Sequence, residues 1–307
     1  MTVDRAPRAE GFTTFAWQGI SLTVPPSWNL VFTQGDARAG NVRLADENVL
    51  RLEMRWQAGG ADASPGAMVD SYVAALRKRA SKEAADLVVQ RDLRLAAPPD
   101  ADVECYRWTA DRQALAMLRR CKRCGRVVHV HLLGRPDEQL KGLARTVFAS
   151  LRDHSDDGTM LWKFLDVEFR TPARLSLSDR SLQSGCVRMG FSRGLTKIEF
   201  VRVSLAEVLL ARASLADWFR GFYAKSLKRR SFGISEARWK GHAGLEVTGR
   251  VWLVVNPSAL VGRRRIVHAA CWHCDATNRI FICAFDGPAR EAGLFPQAVE
   301  GFTCCAQ

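Results

Sequence analysis

Long apolar runs are absent from this 307-residue sequence. A helix that crosses a membrane needs about 20 consecutive, mostly apolar residues, and no stretch approaches that length. The first ten residues, Met1 to Glu10, also lack the apolar segment of a secretory signal. The sequence therefore predicts a soluble, cytoplasmic protein that has no membrane partner.

The motifs of several enzyme classes are absent as well. There is no Gly-x-Gly-x-x-Gly fingerprint after a strand, no phosphate-binding loop, no Gly-x-Ser-x-Gly elbow and no His-Glu-x-x-His pair. Glu53 and Glu199 occupy similar positions in two predicted strands. Repeated glutamates without a positioned partner are more typical of surface ion pairs than of acid–base catalysis. We therefore predict no catalytic residues and no catalytic cofactor.

Basic side chains outnumber acidic ones, with 45 Lys and Arg against 32 Asp and Glu and a formal net charge of +13. The excess is spread over both halves of the chain. Such a surface permits a nucleic-acid partner, but it is more typical of a solvated basic face. A nucleic-acid-binding module is therefore one alternative function.

Several sequence landmarks recur in the same order in the two halves of the chain. The pairs are Trp17–Leu22 with Trp162–Val167, Gly40–Arg43 with Gly185–Arg188, Leu50–Met54 with Thr196–Phe200, and Cys121/Cys124 with Cys271/Cys274. A constant order at a nearly constant offset indicates an internal duplication. The predicted domains are residues 1–153 and 159–307, joined by a short polar link.

Each half shows the same succession of secondary structure. In the first half, Phe15–Val24 alternates apolar and polar residues as a half-buried strand does, and Pro65 opens an amphipathic helix. In the second half, Ser214 has the character of a helix N-cap, with Asp217 three residues on. The predicted fold class is α+β: two tandem homologous domains, each an antiparallel sheet with packed helices, related by a pseudo-two-fold axis.

The opening of the chain carries a family resemblance. The stretch Gly19–Pro25, the following Trp28 and then a two-strand ribbon and a helix resemble the PsbP-like fold, which includes the Ran-binding Mog proteins. The resemblance extends over nearly the whole chain, in tandem, and the Cys-x-x-Cys pairs are an addition to it. It implies a non-catalytic binding or scaffold protein with an unidentified protein partner, and it carries over no site residue.

Four of the nine cysteines come in two Cys-x-x-Cys pairs. The first pair, Cys121 and Cys124, stands in a Cys-Lys-Arg-Cys-Gly turn of the zinc-knuckle type, in which glycine permits the bend. The second pair is Cys271 and Cys274. Structural zinc needs four ligands and each half supplies two, so the sequence predicts one structural zinc ion shared by Cys121, Cys124, Cys271 and Cys274.

Other functions of these thiols remain open. They could cycle between dithiol and disulfide, because neighbouring cations lower thiol pKa values, or they could be plain reduced cysteines. Each half could also bind its own ion through a nearby histidine. His129 and His131, however, are two residues apart on an apolar strand and point to the same face, which favours half-buried strand histidines.

Overall fold

The computed structural model describes residues 11–60, 64–83, 86–95, 100–224, 231–250 and 265–305. The chain divides into two compact units, Met1–Asp166 and Val167–Gln307. Segment 1–10, for which the sequence predicts no export signal, lies outside the described residues. Among the helices of the described ranges, none is long and apolar enough to cross a membrane.

The described residues of the first unit form antiparallel strands and two helices. Its strands are β1 (Thr13–Trp17), β2 (Ile20–Val24), β3 (Asn29–Gly35), β4 (Ala39–Ala45), β5 (Leu50–Gln57), β6 (Val88–Gln90), β7 (Ala101–Thr109), β8 (Gln113–Cys121), β9 (Val127–Gly134) and β10 (Thr159–Phe164). Its helices are α1 (Pro65–Lys82) and α2 (Lys141–Ala149).

Seven of these strands form one antiparallel sheet in the order β3-β4-β5-β9-β8-β7-β6. Helix α1 begins at Pro65, as predicted, and its buried Val69 and Val73 pack against Tyr106, Ala116 and Leu118 of the sheet. Strand β1 pairs with β2 and, at Ala16 opposite Lys163, with β10. Strands β9 and β8 are inner strands of the seven-stranded sheet, so the turn that connects them lies at the end of its middle strands.

The second unit also consists of antiparallel strands and helices. Its strands are β11 (Val167–Pro172), β12 (Ser176–Gln183), β13 (Cys186–Arg193), β14 (Thr196–Ser204), β15 (Ser231–Trp239), β16 (His242–Arg250), β17 (Arg265–Cys274) and β18 (Arg279–Pro288). Its helices are α3 (Ala206–Leu210), α4 (Leu215–Phe222) and α5 (Leu294–Glu300).

The second sheet has the order β12-β13-β14-β18-β17-β16-β15. Helix α4 begins after Ser214, whose hydroxyl accepts a hydrogen bond from the Asp217 backbone N–H at 3.1 Å, so the predicted N-cap is confirmed. The aromatic face of this helix, with Phe219 buried, packs on the sheet. It is a core-forming face, as the helical spacing of the aromatic residues indicates.

Numbered from its first member, each seven-stranded sheet has the same strand order. The α+β class with antiparallel sheets is confirmed, while the duplication and the pseudo-two-fold axis stay predictions. The predicted limits, 1–153 and 159–307, place β10 in the second domain. The division after Asp166 instead groups β10 with the first unit, whose strand β1 it pairs with.

Two details of the first unit differ from the sequence reading. Strand β3 was not predicted, because its exposed residues lack a clear alternation of buried and exposed positions. Proline favours the first turn of a helix, yet the helix after Pro136 begins only at Lys141. The carboxylate of Glu138 accepts hydrogen bonds from Arg51 at 2.8 Å and from the Arg135 backbone N–H at 3.2 Å, which hold the intervening residues in a turn.

Candidate metal centre

The first cysteine pair lies on the turn between β8 and β9. Cys121 is the last residue of β8, and its backbone N–H donates to the carbonyl of Arg126 at 2.9 Å. Gly125 has a φ of +72° and donates its N–H to the Cys121 carbonyl at 3.0 Å. Left-handed backbone favours glycine, so the tight turn expected of a Cys-x-x-Cys-Gly sequence is present.

Two further ligand residues meet this turn. Asp153 and His154 follow α2 in the chain, and their ligand atoms and the sulfur atoms of Cys121 and Cys124 all lie within 4.8 Å of one another. Cys121 Sγ is 3.9 Å from His154 Nδ1, and Cys124 Sγ donates to Asp153 Oδ2 at 3.1 Å. We call these four residues the first ligand group.

Asp153 is the most firmly positioned member of the group. Its side chain is 1% exposed, and Oδ1 accepts a hydrogen bond from Arg119 Nη1 at 2.7 Å. Arg126 donates to the Asp153 backbone carbonyl at 3.2 Å. Burial favours a higher pKa for Asp153, but the hydrogen bonds from Arg119 and Cys124 outweigh it and lower the pKa. The carboxylate is therefore ionised. The contacts of Arg119 and Arg126 orient it, as outer-shell contacts orient metal ligands.

The donor set of the first ligand group fits zinc. Two cysteine sulfurs, an imidazole nitrogen and a carboxylate oxygen are all established zinc ligands, and four of them complete a tetrahedron. Two thiolates, one carboxylate and one divalent ion sum to a single negative charge. The buried guanidinium of Arg119 lies against Asp153 and offsets that charge. In the free thiol state, desolvation is the main cause that raises the pKa of Cys124 to about 11.

The second cysteine pair is placed differently from the sequence expectation. Cys271 and Cys274 both lie inside β17, whereas a position on the hairpin equivalent to the first pair was expected. Residues three apart on a regular strand face opposite sides of the sheet. Cys271 is fully buried in the core beneath α4, where desolvation raises its pKa. Cys274 ends the strand and lies near another set of ligand residues.

The described residues thus contain the four predicted ligands in three environments. Cys121 and Cys124 belong to the first ligand group, Cys274 belongs to a group with His242, Cys304 and Cys305, and Cys271 belongs to neither. The single zinc ion shared by the four cysteines stays a prediction. The geometry within either unit does not require it, since each group already contains four ligand atoms.

Sequence reasoning missed Asp153 and His154, which lie where the predicted first domain meets the polar link. It also left Cys304 and Cys305 unassigned, and His242 was not singled out. The available signal was positional, because Asp153-His154 and Cys304-Cys305 each follow the last helix of a unit closely. Adjacent ligand-type residues at matching places in two similar halves favour a shared role.

The basic residues beside the first cysteine pair are largely neutralised. Arg119 is fully buried between Asp153 and Asp100. Arg120 and Lys122 lie 3.7 and 3.6 Å from Asp102, and Arg123 pairs with Asp156. This stretch therefore does not form the exposed row of unpaired cations that a nucleic-acid backbone would require.

Of the two histidines of β9, His131 is buried and His129 is half-buried, and both lie outside the two ligand groups. His129 Nε2 and His131 Nε2 are 2.8 and 3.0 Å from the Tyr106 hydroxyl. Their rings, with centroids 4.1 Å apart, lie on one face of the sheet, as predicted. None of the histidines near the two cysteine pairs, His129, His131, His268 and His273, belongs to a ligand group in the described ranges.

Comparison with known proteins finds similarity among solved structures only. No family model matches the sequence, and no curated protein matches it. The solution structure of cyanobacterial PsbP (CyanoP) from Synechocystis sp. PCC 6803 is similar over 49% of this chain and 95% of that chain, with 11% identity and a TM-score of 0.34. The Ran-binding protein Mog1p of Saccharomyces cerevisiae is similar over 45% of this chain and 89% of its own, with 12% identity and a TM-score of 0.29.

Proposed function

We propose that this chain is a non-catalytic binding or scaffold protein whose first unit is held by a structural zinc ion. The observation that carries the proposal is the first ligand group, Cys121, Cys124, Asp153 and His154. The proposed partner is a protein, and the two units are proposed to be PsbP-like domains that arose by duplication.

The number of ligands supports a structural role for the ion. Catalytic zinc sites keep a position open for water or substrate, whereas structural sites are closed by four protein ligands. The first ligand group offers four. They also come from two distant parts of the chain, the β8–β9 turn and the segment after α2, so one ion would tie the end of the unit to its sheet.

The alternative functions are less well supported by the contacts. A redox pair needs a stabilised thiolate, yet the pKa of Cys124 is raised to about 11, chiefly by desolvation. A nucleic-acid site at the first cysteine pair conflicts with the burial of Arg119 and the acidic partners of its neighbours.

Metal analysis of the full-length protein, purified reduced and without chelator, tests the proposal. Cys124→Ser should lower the zinc content by about one ion per chain and lower the melting temperature. Cys186→Ser, which changes a partly buried cysteine outside both ligand groups, is the matched control and should leave the zinc content unchanged. A ligand bound at 1,000 times its Kd stabilises the folded state by about 4 kcal/mol, so chelator should lower the melting temperature of the parent protein.

An unchanged zinc content in Cys124→Ser would contradict a site in the first ligand group. Titration with Co²⁺ adds a second measurement, because a thiolate-bound cobalt ion has a charge-transfer absorption band. That band should weaken in Cys124→Ser and keep its intensity in Cys186→Ser.

A further inference from the structure

The second unit contains a ligand group of which the sequence predicted only one member, Cys274. The ligand atoms of His242, Cys274, Cys304 and Cys305 all lie within 4.8 Å of one another. His242 begins β16, Cys274 ends β17, and Cys304 and Cys305 follow α5. We call these residues the second ligand group.

The distances within this group match those of a tetrahedral zinc site. Two thiolates at about 2.3 Å from a zinc ion, separated by the tetrahedral angle, lie about 3.8 Å apart, and a thiolate and an imidazole nitrogen lie about 3.6 Å apart. The Cys304 and Cys305 sulfurs are 3.8 Å apart, and Cys305 Sγ is 3.6 Å from His242 Nε2. Cys274 is fully buried, and its Sγ lies 4.0 Å from the Cys304 carbonyl oxygen.

The two ligand groups occupy equivalent places in the two folds. Cys121 and Cys274 are each the last residue of the strand before the corresponding turn. Each turn ends in a residue with positive φ, Gly125 at +72° and Asn278 at +51°. An arginine then follows in both cases. Measured from the turn, Cys274 is therefore the counterpart of Cys121, and the Cys-x-x-Cys motifs are out of phase by three residues.

The segments after the last helices correspond in the same way. In the first unit, Arg152 forms an isolated bridge with Ser21 of β2, and Asp153 and His154 follow it. In the second unit, Thr303 forms an isolated bridge with Glu168 of β11, and Cys304 and Cys305 follow it. Three of the four ligand positions are thus matched between the units.

The fourth ligand comes from a different element in each unit. In the first unit it is Cys124 in the turn, where the second unit has Thr277. In the second unit it is His242; extending the register of Gly244 opposite Trp272 by two residues places His242 opposite Cys274. The corresponding residue in the first unit is Ala101, opposite Cys121. Each unit therefore has one ligand where the other has none, and both reach a set of four.

The turn that precedes His242 is fastened to the end of the last helix. Lys240 and Gly241 have φ values of +53° and +85° and connect β15 to β16. The Lys240 ammonium group donates to the carbonyl of Glu300, the last residue of α5, at 2.5 Å. This contact holds the start of β16 beside the segment that carries Cys304 and Cys305.

We infer that the second unit binds its own structural zinc ion through His242 Nε2 and the thiolates of Cys274, Cys304 and Cys305. Soft sulfur ligands with one imidazole select zinc over hard oxygen-seeking cations such as Mg²⁺. Metal binding displaces the three thiol protons to solvent. The ion links the β15–β16 and β17–β18 hairpins to the segment after α5. It binds independently of the first ligand group.

Zinc analysis and Co²⁺ titration of the reduced full-length protein test this site. The parent protein should bind two ions per chain. His242→Gln and Cys304→Ser should each lower the content by about one ion and lower the melting temperature. His268→Gln is the matched control for the first change, because His268 packs its ring on Phe295 and belongs to neither ligand group. Cys186→Ser is the control for the second.

The outcomes separate this site from the one in the first unit. One bound ion that is lost in Cys304→Ser and kept in Cys124→Ser upholds the second site and contradicts the first. One bound ion that is lost in Cys124→Ser and kept in both Cys304→Ser and His242→Gln overturns the second site. Each control makes the same chemical change at a position outside both ligand groups, so an effect of the substitution type alone would appear in the controls as well.

Discussion

Arg119 and Arg123 belong to the same basic stretch of sequence, but their side chains and the acidic partners of those side chains differ in exposure. The side chain of Arg119 is fully buried against Asp153, which is itself 1% exposed. The side chain of Arg123 is 64% exposed and pairs with an Asp156 that is 86% exposed. A buried pair cannot lose one partner without leaving an uncompensated charge, whereas an exposed pair contributes little. Of these two arginines, only Arg119 has a structural role that the contacts define.

At the residue scale, His129 and His131 make the free energy of unfolding depend on pH. Desolvation by burial lowers the pKa of His131 to about 3, and it also holds the pKa of His129 well below its ordinary value. The unfolded chain has histidine pKa values near 6.5, so it binds more protons than the folded chain at lower pH. Their stabilising contribution is complete above about pH 6.5 and is lost as the pH falls toward 3.

We therefore expect the free energy of unfolding to fall between pH 6.5 and 5, by up to about 1.4 kcal/mol per pH unit for each histidine. His131→Gln should remove one of these contributions and flatten the profile. Denaturant unfolding at several pH values, with chelator present in every sample, measures it. His268→Gln is the control, since His268 lies outside this buried cluster. An equally steep profile in His131→Gln would contradict the assignment.

At the element scale, the N-termini of α1 and α4 provide a matched comparison. The hydroxyl of Ser214 accepts from the Asp217 backbone N–H at 3.1 Å and donates to the Asp217 carboxylate at 2.7 Å. Ser64 is the N-cap of α1 in an extended conformation, but its side chain makes no capping hydrogen bond. The same residue type at the same helix position thus has two different roles.

Ser214→Ala should lower the stability of the second unit by about 1 kcal/mol, because one backbone N–H of α4 loses its partner. Ser64→Ala should change stability far less. Thermal unfolding followed by circular dichroism compares the two variants with the parent protein. Equal destabilisation by both substitutions would mean that the hydroxyl of Ser214 adds nothing beyond helix propensity.

The strands of the two units show why a short motif does not define its own structure. Cys121 ends a strand and Cys124 lies in the following turn, so both sulfurs reach one site. Cys271 and Cys274 have the same spacing, but both lie in β17 and face opposite sides of the sheet. The spacing alone cannot distinguish these cases, because the position of the strand end depends on pairing with neighbouring strands.

At the scale of the whole molecule, features that depend on local sequence could be predicted, whereas contacts between residues distant in the chain could not. The apolar periodicity of α1, the cap at Ser214 and the shared face of His129 and His131 follow from local geometry. The recurring landmarks likewise anticipated two sheets with one strand order. Asp153 and Cys304 join their sites through contacts across many residues, which local periodicity does not encode. Two of the predicted ligands, Cys121 and Cys124, are nevertheless together in one group.

The zinc content of a Cys271 variant distinguishes one ion shared by the whole chain from two separate ions. If Cys121, Cys124, Cys271 and Cys274 share an ion, Cys271→Ala must lower the zinc content as much as Cys274→Ser does. If each unit has its own ion, Cys271→Ala should keep both ions and lose only the packing of one buried sulfur, about 1 kcal/mol. Cys283→Ala is the matched control, since Cys283 is equally buried, in β18, and lies outside both ligand groups. Loss of zinc in Cys271→Ala with retention in Cys283→Ala would favour the shared site; retention in both, with loss in Cys274→Ser, is the result that the geometry of β17 predicts.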